Sequence, residues 1–314
     1  MIKLAIVSPC YNEEEVLDLS AQRLNDLFDD LIGKNKISDD SFVLFVNDGS
    51  KDLTWKKIVS LHKSNDRFKG LNLAHNVGHQ NAIMAGMMQA RDMPDAVVTI
   101  DADLQDDIEV IPQMLEHYNQ GCDIVYGVRR ERKTDTWFKR TTALAFYRLM
   151  RHLGVNSVYN HADYRMMSRR AVQALLRYRE RNLYLRGVVS LMGFDTAHVY
   201  YDRAERAAGQ SKYPLRRMAG MAVDGITSFS IRPVRMVLTL GIVFLFIVLV
   251  MLAYVLIAYF TGRAVSGWAS IVLSLWFIGG CVLIGLGIVG EYIGKIYIEV
   301  KDRPRYHIDQ TIIK

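Results

Sequence analysis

The first 126 residues of the chain alternate short apolar runs with longer segments in which apolar residues recur every three to four positions. Short apolar runs bounded by turn residues are typical of strands, and the longer spacing is typical of amphipathic helices. The predicted strands are 3–8, 42–46, 71–74, 96–100 and 123–126, and the predicted helices are 13–32, 52–62, 79–91 and 108–118. This alternation predicts an α/β fold of Rossmann-like type, a mostly parallel sheet with helices on both faces. In such sheets ligands bind beyond the carboxyl ends of the strands.

The pattern is less regular after residue 126. Helices are predicted at 136–153, 169–178 and 183–192, and a last strand at 197–201. Residues 213–230 place apolar side chains at helical spacing, with Arg216, Arg217 and Asp224 elsewhere around the helix. This distribution is typical of an amphipathic helix at a membrane surface. An ordinary helix packed against a protein core is the alternative interpretation.

Two long apolar runs, 234–259 and 268–289, change the interpretation of the C-terminal part of the chain. Each exceeds the roughly 20 residues that a helix needs to cross the hydrocarbon core of a bilayer. Together they predict a two-helix transmembrane hairpin, which argues against a wholly soluble protein. Neither run contains Asp, Lys or His, so a transport pathway through the membrane is not expected.

The distribution of charge predicts the orientation of this hairpin. The chain has 39 Lys and Arg against 33 Asp and Glu, and seven of the basic residues lie between Arg203 and Arg235. Further basic residues follow the second apolar run, whereas the connection at 260–267 carries only Arg263. The positive-inside rule therefore predicts a multi-pass protein of the cytoplasmic membrane with its N-terminal domain and both termini in the cytoplasm. The basic cluster suits a membrane surface or a lipid phosphate, and no nucleic-acid-binding signature accompanies it.

The domain organisation follows from these segments. We expect a cytosolic domain at 1–212, a juxtamembrane amphipathic segment at 213–233, two transmembrane helices within 234–292 (about 234–260 and 268–290) and a cytosolic tail at 293–314. Three widely separated cysteines, Cys10, Cys122 and Cys281, indicate a reducing compartment. The first apolar run is too short for a signal peptide and indicates a buried strand.

Acidic residues follow the predicted fourth strand directly. Asp101 and Asp103 lie two positions apart on an extended segment, so both carboxylates can turn toward one ligand. Such a pair suits a hard divalent cation, Mg²⁺ or Mn²⁺, whose other sites are filled by phosphate oxygens and water. Capping of the following helix is the alternative for an isolated Asp-x-Asp, and the further polar residues at 105–107 weaken it.

Two more polar turns follow predicted strands. After the first strand, Pro9 stiffens the backbone, Tyr11 offers a stacking face and Glu13 offers an acceptor, as a nucleoside requires. After the second strand, Gly49 permits a tight turn, and helix capping would explain Ser50 or Asp52 but not Asp48. Ordinary strand-to-helix turns remain the alternative for each motif taken alone.

The ordered set of motifs resembles the family-2 glycosyltransferases of GT-A fold. It is most similar to the polyprenyl-phosphate glycosyltransferases, such as the bactoprenol glucosyltransferases and dolichol-phosphate mannose synthase. The resemblance runs from about residue 3 to the end of the second apolar run. The matching motifs are Pro9-Cys10-Tyr11-Asn12-Glu13, Asp48-Gly49-Ser50, His75-Asn76-Val77-Gly78-His79-Gln80, Asp101-Ala102-Asp103-Leu104-Gln105, Asp163-Tyr164-Arg165 and Gly209-Gln210-Ser211-Lys212-Tyr213.

This resemblance implies a metal-dependent, inverting transfer of a sugar from a nucleotide-sugar donor, with UDP favoured, to a polyprenyl phosphate such as undecaprenyl phosphate. It also implies a homo-oligomer. The implied ligands of Mg²⁺ or Mn²⁺ are Asp101, Asp103 and Gln105. The implied donor-binding residues are Pro9, Tyr11, Glu13, Asp48, Asn76, Asp101 and Ala102. The implied acceptor-phosphate residues are Arg129, Arg165, Arg206, Ser211 and Lys212, and the implied catalytic residues are Asp163, Asp103 and Arg165.

The role of Asp163 stays open at this point. The family match suggests a catalytic base, but a phosphate monoester has a second pKa near 6 and is already largely anionic at pH 7. Asp163 is then expected to orient Arg165 or the acceptor, or to stabilise positive charge on the sugar ring. A purely structural pairing of Asp163 with Arg165 is a further alternative.

Two departures from the family pattern affect the prediction. Asn47 stands where the family usually has the first of two aspartates, which leaves the base preference open. None of the four tryptophans is preceded by Arg, so the Gln-x-x-Arg-Trp motif of processive relatives is missing and a single transfer is expected. The rival functions are a glycosyltransferase with another lipid acceptor, such as a diacylglycerol, and a non-catalytic membrane adaptor that binds sugar nucleotides.

Overall fold

The computed structural model describes residues 1–103, 105–130, 161–180, 185–202, 232–261 and 267–313. The chain forms two compact units. The first contains the described residues up to 202 together with those from 303 onward, and the second contains the described residues between 232 and 302. The predicted helices at 136–153 and 213–230 lie outside the described residues.

An eight-stranded mixed sheet forms the centre of the first unit, in the order β7-β5-β6-β4-β1-β2-β3-β8. Its strands are β1 (Leu4–Cys10), β2 (Phe42–Asn47), β3 (Phe68–Leu73), β4 (Ala96–Thr99), β5 (Ile124–Arg129), β6 (His161–Ser168), β7 (Thr196–Tyr201) and β8 (Ile308–Ile312). The pairs among β1 to β4 are parallel, as is β5 with β7, whereas β6 and β8 run antiparallel to their neighbours. The predicted α/β fold with a mostly parallel sheet is confirmed.

Helices cover this sheet because its central strands are apolar on both faces. Every residue of β1 and β2 is buried, as expected for strands between two helical layers. The helices are α1 (Leu17–Gly33), α2 (Thr54–Ser64), α3 (His79–Ala90), α4 (Ile111–Asn119), α5 (Arg169–Leu175) and α6 (Leu185–Leu191), and a 3₁₀ turn at Ile108–Val110 precedes α4. One stripe of α1 faces the core through Leu17, Leu24, Phe28 and Leu31.

Strand β6 was not predicted, and its position in the sheet determines where Asp163 and Arg165 lie. It enters antiparallel between β4 and β5, with Arg165 opposite both Thr99 and Tyr126. Its sequence mixes polar and apolar residues, which hides it from a search for apolar runs. The Asp163-Tyr164-Arg165 motif therefore lies in the sheet itself, beside the carboxyl end of β4.

The C-terminal tail also contributes an unpredicted strand. Strand β8 pairs with the edge strand β3, and side-chain contacts fix it there. The Trp55 indole Nε1 donates to Gln310 Oε1 at 3.0 Å, and Asn72 Nδ2 donates to Asp309 Oδ2 at 2.9 Å. The described residues from 303 onward thus belong to the first unit, although they follow the apolar helices in sequence.

The second unit contains two long apolar helices, α7 (Arg232–Phe260) and α8 (Trp268–Val300). They contact each other at Gly285, where an added Cβ would lie 3.1 Å from Val237 Cγ1. Within the described residues, one helical segment, Phe277–Val300, is long and apolar enough to cross a membrane, with a mean hydropathy of 1.8. The two-span hairpin and its orientation stay predictions.

The packing of α3 on the sheet gives a first testable prediction. A Cβ on Gly86 would lie 2.4 Å from Val7 Cγ1 and 2.8 Å from Val46 Cγ2. Gly86→Ala should therefore destabilise the first unit by about 1–3 kcal/mol through overpacking. Gly33→Ala is the control, because a Cβ at that helical position meets no atom within 4 Å and should be neutral or stabilising by up to about 1 kcal/mol. Thermal unfolding of the purified protein checks both, and an unchanged melting temperature for Gly86→Ala would contradict the packing.

Candidate active site

The loops that follow β1 and β2 are bound to each other at the carboxyl edge of the sheet. The backbone amide of Asn12 donates to Ser50 Oγ at 2.9 Å, and the amide of Lys51 donates back to Asn12 Oδ1 at 2.9 Å. Asn12 has a positive φ of 56°, a conformation that Asn tolerates better than most residues. This reciprocal pair fixes the turn in which Tyr11 and Glu13 stand.

Asp48 holds the loop between β3 and α3. Its buried carboxylate accepts the backbone amides of Val77 at 2.7 Å and Gly78 at 3.0 Å. Burial raises the pKa of Asp48, although the two amides favour its charged form. Gly49 has a φ of +63°, and a Cβ there would lie 2.4 Å from the backbone of His75. The structure therefore gives Asp48 a loop-holding function next to the predicted donor-binding edge.

The other residues predicted to bind the donor surround this turn. Pro9 is buried in β1, whereas Tyr11 and Asn76 are exposed and Glu13 is partly exposed. Ala102 is buried, and its carbonyl accepts Ser20 Oγ at 2.5 Å.

Asn47, the departure from the family pattern, is buried at the end of β2. It donates through Nδ2 to Asn72 Oδ1 at 2.6 Å, while its own Oδ1 has no hydrogen-bond partner. Asn72 in turn donates to Asp309 of β8. An acceptor-only carboxylate at the end of this chain fixes the direction of both amides.

Asp101 and Asp163 face each other across one imidazole. His79, the first residue of α3, places Nε2 3.3 Å from Asp101 Oδ1 and 3.7 Å from Asp163 Oδ2. Burial raises the pKa of Asp101 to about 6. The charges of Asp106, Asp163 and Asp103 act in the same direction, and His79 opposes them. The site thus concentrates carboxylates at the end of β4.

Two carboxylates of this set, those of Asp101 and Asp103, have the oxygen chemistry that a divalent cation prefers. The described residues contain no group of three His, Cys, Asp or Glu side chains arranged as metal ligands. Asp101 and Asp103 are hard oxygen ligands whose mutual repulsion a cation would relieve. The backbone amide of the buried Gln105 donates to Asp103 Oδ1 at 3.2 Å, which orients that carboxylate. A bound Mg²⁺ or Mn²⁺ would take its remaining ligands from Gln105, phosphate or water.

Asp163 is bound by two guanidinium groups. Arg165 donates from Nη2 to Asp163 Oδ1 at 2.7 Å, and Arg186 approaches both carboxylate oxygens at 3.3 Å through Nε and Nη2. Burial by itself raises the pKa of Asp163, but Arg186 and Arg165 outweigh it and hold this pKa well below its usual range. Asp163 is therefore an anion at every physiological pH. A carboxylate of this kind orients cations and accepts protons poorly.

The predicted acceptor-phosphate residues are distributed differently. Arg165 is buried, with Nη1 left without a partner. Arg129 donates to the buried Asp106 and to the hydroxyl of Tyr201. The predicted residues Arg206, Ser211 and Lys212 lie outside the described residues.

Several residues of the site were missed or given no role in the sequence analysis. His79 belongs to a matched motif, and its position as the first residue of a helix after a glycine turn is the signal that could have identified it. Arg186, Asp106 and Tyr201 carry no local signal, because each meets its partner only in the folded chain. The pairing of β5 with β7, for example, places Arg129 opposite Tyr201.

Known proteins are similar to this chain along nearly its whole length. Residues 5–176 match the family described as glycosyl transferase family 2. YkoT of Bacillus subtilis (strain 168), described as an uncharacterized glycosyltransferase, is 53% identical over 306 residues, which cover 98% of this chain and 91% of YkoT. The SfII prophage-derived bactoprenol glucosyl transferase of Shigella flexneri is 39% identical over 312 residues, covering 99% of this chain and 98% of that protein. Glucosyl-3-phosphoglycerate synthase of Mycobacterium tuberculosis, solved with Mn²⁺, UDP and glucosyl-3-phosphoglycerate, aligns with a TM-score of 0.44 at 16% identity over 72% of this chain and 78% of that one.

The family match covers more than half of the chain and includes the strand ends at which the carboxylates meet. The sheet has the mixed, mostly parallel form that the GT-A resemblance implied. The chain belongs to glycosyl transferase family 2, and the protein is a glycosyltransferase of GT-A fold.

Proposed function

We propose that this enzyme transfers one sugar from a UDP-sugar to a polyprenyl phosphate, such as undecaprenyl phosphate, at the cytoplasmic face of the membrane. The observation that carries the proposal is the meeting of Asp101 and Asp163 at one edge of the sheet, with His79 between them and two arginines behind Asp163. This arrangement places groups that suit a cation beside groups that suit an anion.

The donor would bind on the side of Asp101. We propose that Asp101, Asp103 and Gln105 hold Mg²⁺ or Mn²⁺, which when bound neutralises the diphosphate of the leaving nucleotide as a Lewis acid. Tyr11, exposed in the turn after β1, offers a stacking face for the base. The contacts between the turns after β1 and β2 hold the backbone next to Tyr11 in place. The amide of Asn12 donates to Ser50 Oγ, and the amide of Lys51 donates to Asn12 Oδ1.

The acceptor would bind on the side of Asp163. Its phosphate is already an anion at neutral pH, so it needs cations more than it needs a base. Asp163 supplies these indirectly, because it holds the guanidinium groups of Arg165 and Arg186 in one place. Arginine suits a phosphate through its forked donors. Attack on the face opposite the nucleotide inverts the anomeric centre without a covalent sugar intermediate.

Relatives named bactoprenol glucosyl transferase along nearly the whole chain support a polyprenyl acceptor. The apolar segment Phe277–Val300 supports attachment to the membrane in which such a lipid resides. We further propose two spans, cytoplasmic termini and a homo-oligomer. Because the Gln-x-x-Arg-Trp motif is missing from the sequence, we propose that each reaction ends after one transfer.

An acceptor panel tests the proposal. Purified protein is incubated with labelled UDP-sugars and either undecaprenyl phosphate or diacylglycerol, with and without EDTA. We expect label only in the polyprenyl product and a loss of transfer with EDTA. Label in diacylglycerol would instead support the rival lipid acceptor. A transfer rate that EDTA does not lower would contradict the proposed dependence on a divalent metal.

The loop that contains Asp103 allows a matched pair of variants. Asp103→Ala should lower the transfer rate at least about a hundredfold, because it removes a metal ligand, while binding of the nucleotide persists. Asp107→Ala is the control in the same loop, since that side chain only caps the 3₁₀ turn through the amide of Glu109. Equal rates for Asp103→Ala and the wild type would contradict an enzymatic role for this carboxylate.

The pH profile of Asp163→Asn distinguishes its possible roles. Because its arginine partners keep Asp163 ionised, we expect a loss of about a hundredfold or more that stays constant from pH 6 to 8.5. Asp123→Asn is the control, because Asp123 is also buried and bound by an arginine, Arg170, but precedes β5 at the opposite end of the sheet. A loss confined to pH values below about 6.5, where the phosphate takes up its proton, would instead indicate a catalytic base.

A further inference from the structure

We propose that Tyr201, together with Arg129 and Asp106, is a positioning residue for the metal-binding loop. We call the described residues 101–103 and 105–107 the carboxylate loop. The proposal rests on the proposed function, because it assumes that this loop holds a divalent ion at Asp101 and Asp103. It assigns a task to the edge strand β7, which lies outside the residues that match the family.

The central contact of the proposal is a buried carboxylate with three donors. Asp106 Oδ1 accepts the hydroxyl of Tyr201 at 2.6 Å, and Arg129 Nη2 at 2.9 Å and Nε at 3.2 Å. Arg129 Nε also lies 3.2 Å from the Tyr201 hydroxyl. Asp106 is 2% exposed and Tyr201 is 1% exposed. Hydrogen bonds to a charged group in such surroundings are among the stronger ones in proteins.

The protonation of this cluster favours the contact. Burial raises the pKa of Tyr201, and the adjacent charge of Asp106 raises it further. The phenol therefore keeps its proton and donates it to the carboxylate. Arg129 compensates the buried negative charge of Asp106 by forming an ion pair with it. Asp106 therefore does not compete for the cation that Asp101 and Asp103 would bind.

A second tyrosine binds the next residue of the loop. The Tyr164 hydroxyl donates to the backbone carbonyl of Asp107 at 2.9 Å. The rings of Tyr164 and Tyr201 pack edge to face, with centroids 5.4 Å apart and planes at 79°. Since Tyr164 lies between Asp163 and Arg165 in β6, this contact also connects the loop to the strand that carries the acceptor-side carboxylate.

The carboxylate loop is therefore fixed at both of its ends. At its start, Asp101 follows β4 and the carbonyl of Ala102 accepts Ser20 Oγ. At its end, Asp106 and Asp107 are bound by the two tyrosines. Asp103 stands between these anchors, so the separation of the Asp101 and Asp103 carboxylates depends on both of them. Loss of groups that orient metal ligands typically weakens metal binding by about 10- to 100-fold.

Strand β7 offers a matched pair of variants for the test. Tyr201→Phe removes one hydroxyl and keeps the buried ring, whereas Tyr200→Phe makes the same chemical change at the neighbouring residue, which is 56% exposed. Binding of Mn²⁺ to each full-length protein is measured by electron paramagnetic resonance, with UDP present, and the melting temperature is measured alongside.

We expect Tyr201→Phe to raise the Kd for Mn²⁺ roughly tenfold, while Tyr200→Phe keeps the value of the wild type. Transfer at saturating Mn²⁺ should change less than the affinity does. Tyr164→Phe, which loses the second anchor, should also raise the Kd. An unchanged Kd in Tyr201→Phe, or an equal rise in Tyr200→Phe, would overturn the proposal.

The design separates this proposal from the proposed function. If no donor and acceptor pair supports transfer by the wild type but Mn²⁺ still binds and Tyr201→Phe still weakens it, the proposed function fails and the positioning role stands. If transfer is normal and the Kd values of the two tyrosine variants agree, the positioning role fails alone.

Discussion

The site depends on how four carboxylates are kept together at one edge of a sheet. Asp101, Asp103, Asp106 and Asp163 act on one another strongly enough to contribute to the raised pKa of Asp101. Asp106 has Arg129, and Asp163 has Arg165 and Arg186. In the described part of the chain, the only basic side chain in an ion pair with Asp101 is a half-exposed histidine. The fold thus pairs Asp106 and Asp163 with arginines, and in the proposed function Asp101 is left to bind the metal ion.

The topology of the sheet fixes the position of Asp163 and Arg165 relative to the carboxyl end of β4. Strands β4 and β5 are connected through α4, and the antiparallel strand β6 lies between them in the sheet. Asp163 and Arg165 therefore come from a strand rather than from a loop, and their spacing is set by backbone pairing with Thr99 and Tyr126. Such a scaffold keeps Asp163 and Arg165 at a fixed position beside Asp101, as the proposed reaction between two bound substrates requires.

The sequence allowed the parallel strands, most of the helices and the carboxylates after β4 to be predicted, because these features repeat locally. Strand β6 was missed because its buried Tyr164 and Arg165 contact residues that are distant in the sequence. Strand β8 was missed because it follows the long apolar helix α8, after which a solvated tail is the simpler expectation. Its exposed face gives no apolar signal.

The chemistry of single residues was less predictable than their location. Asp48 was expected at the nucleoside, and its carboxylate is bound by two backbone amides of a neighbouring loop. Arg129 was expected at a phosphate, and its guanidinium is bound to Asp106. Both roles depend on partners that only the folded chain brings within reach. A polar motif at a strand end therefore locates a candidate site, while the contacts within it follow from the tertiary structure.

The most direct test of this account is the position of the metal. Crystals of the protein grown with Mn²⁺ and UDP should be measured at the manganese absorption edge, where the ion scatters anomalously. We expect one anomalous peak in ligand contact with Asp101 and Asp103 and none beside Asp106 or Asp163. A peak at a different place, or carboxylates of Asp101 and Asp103 turned away from the bound nucleotide, would contradict it.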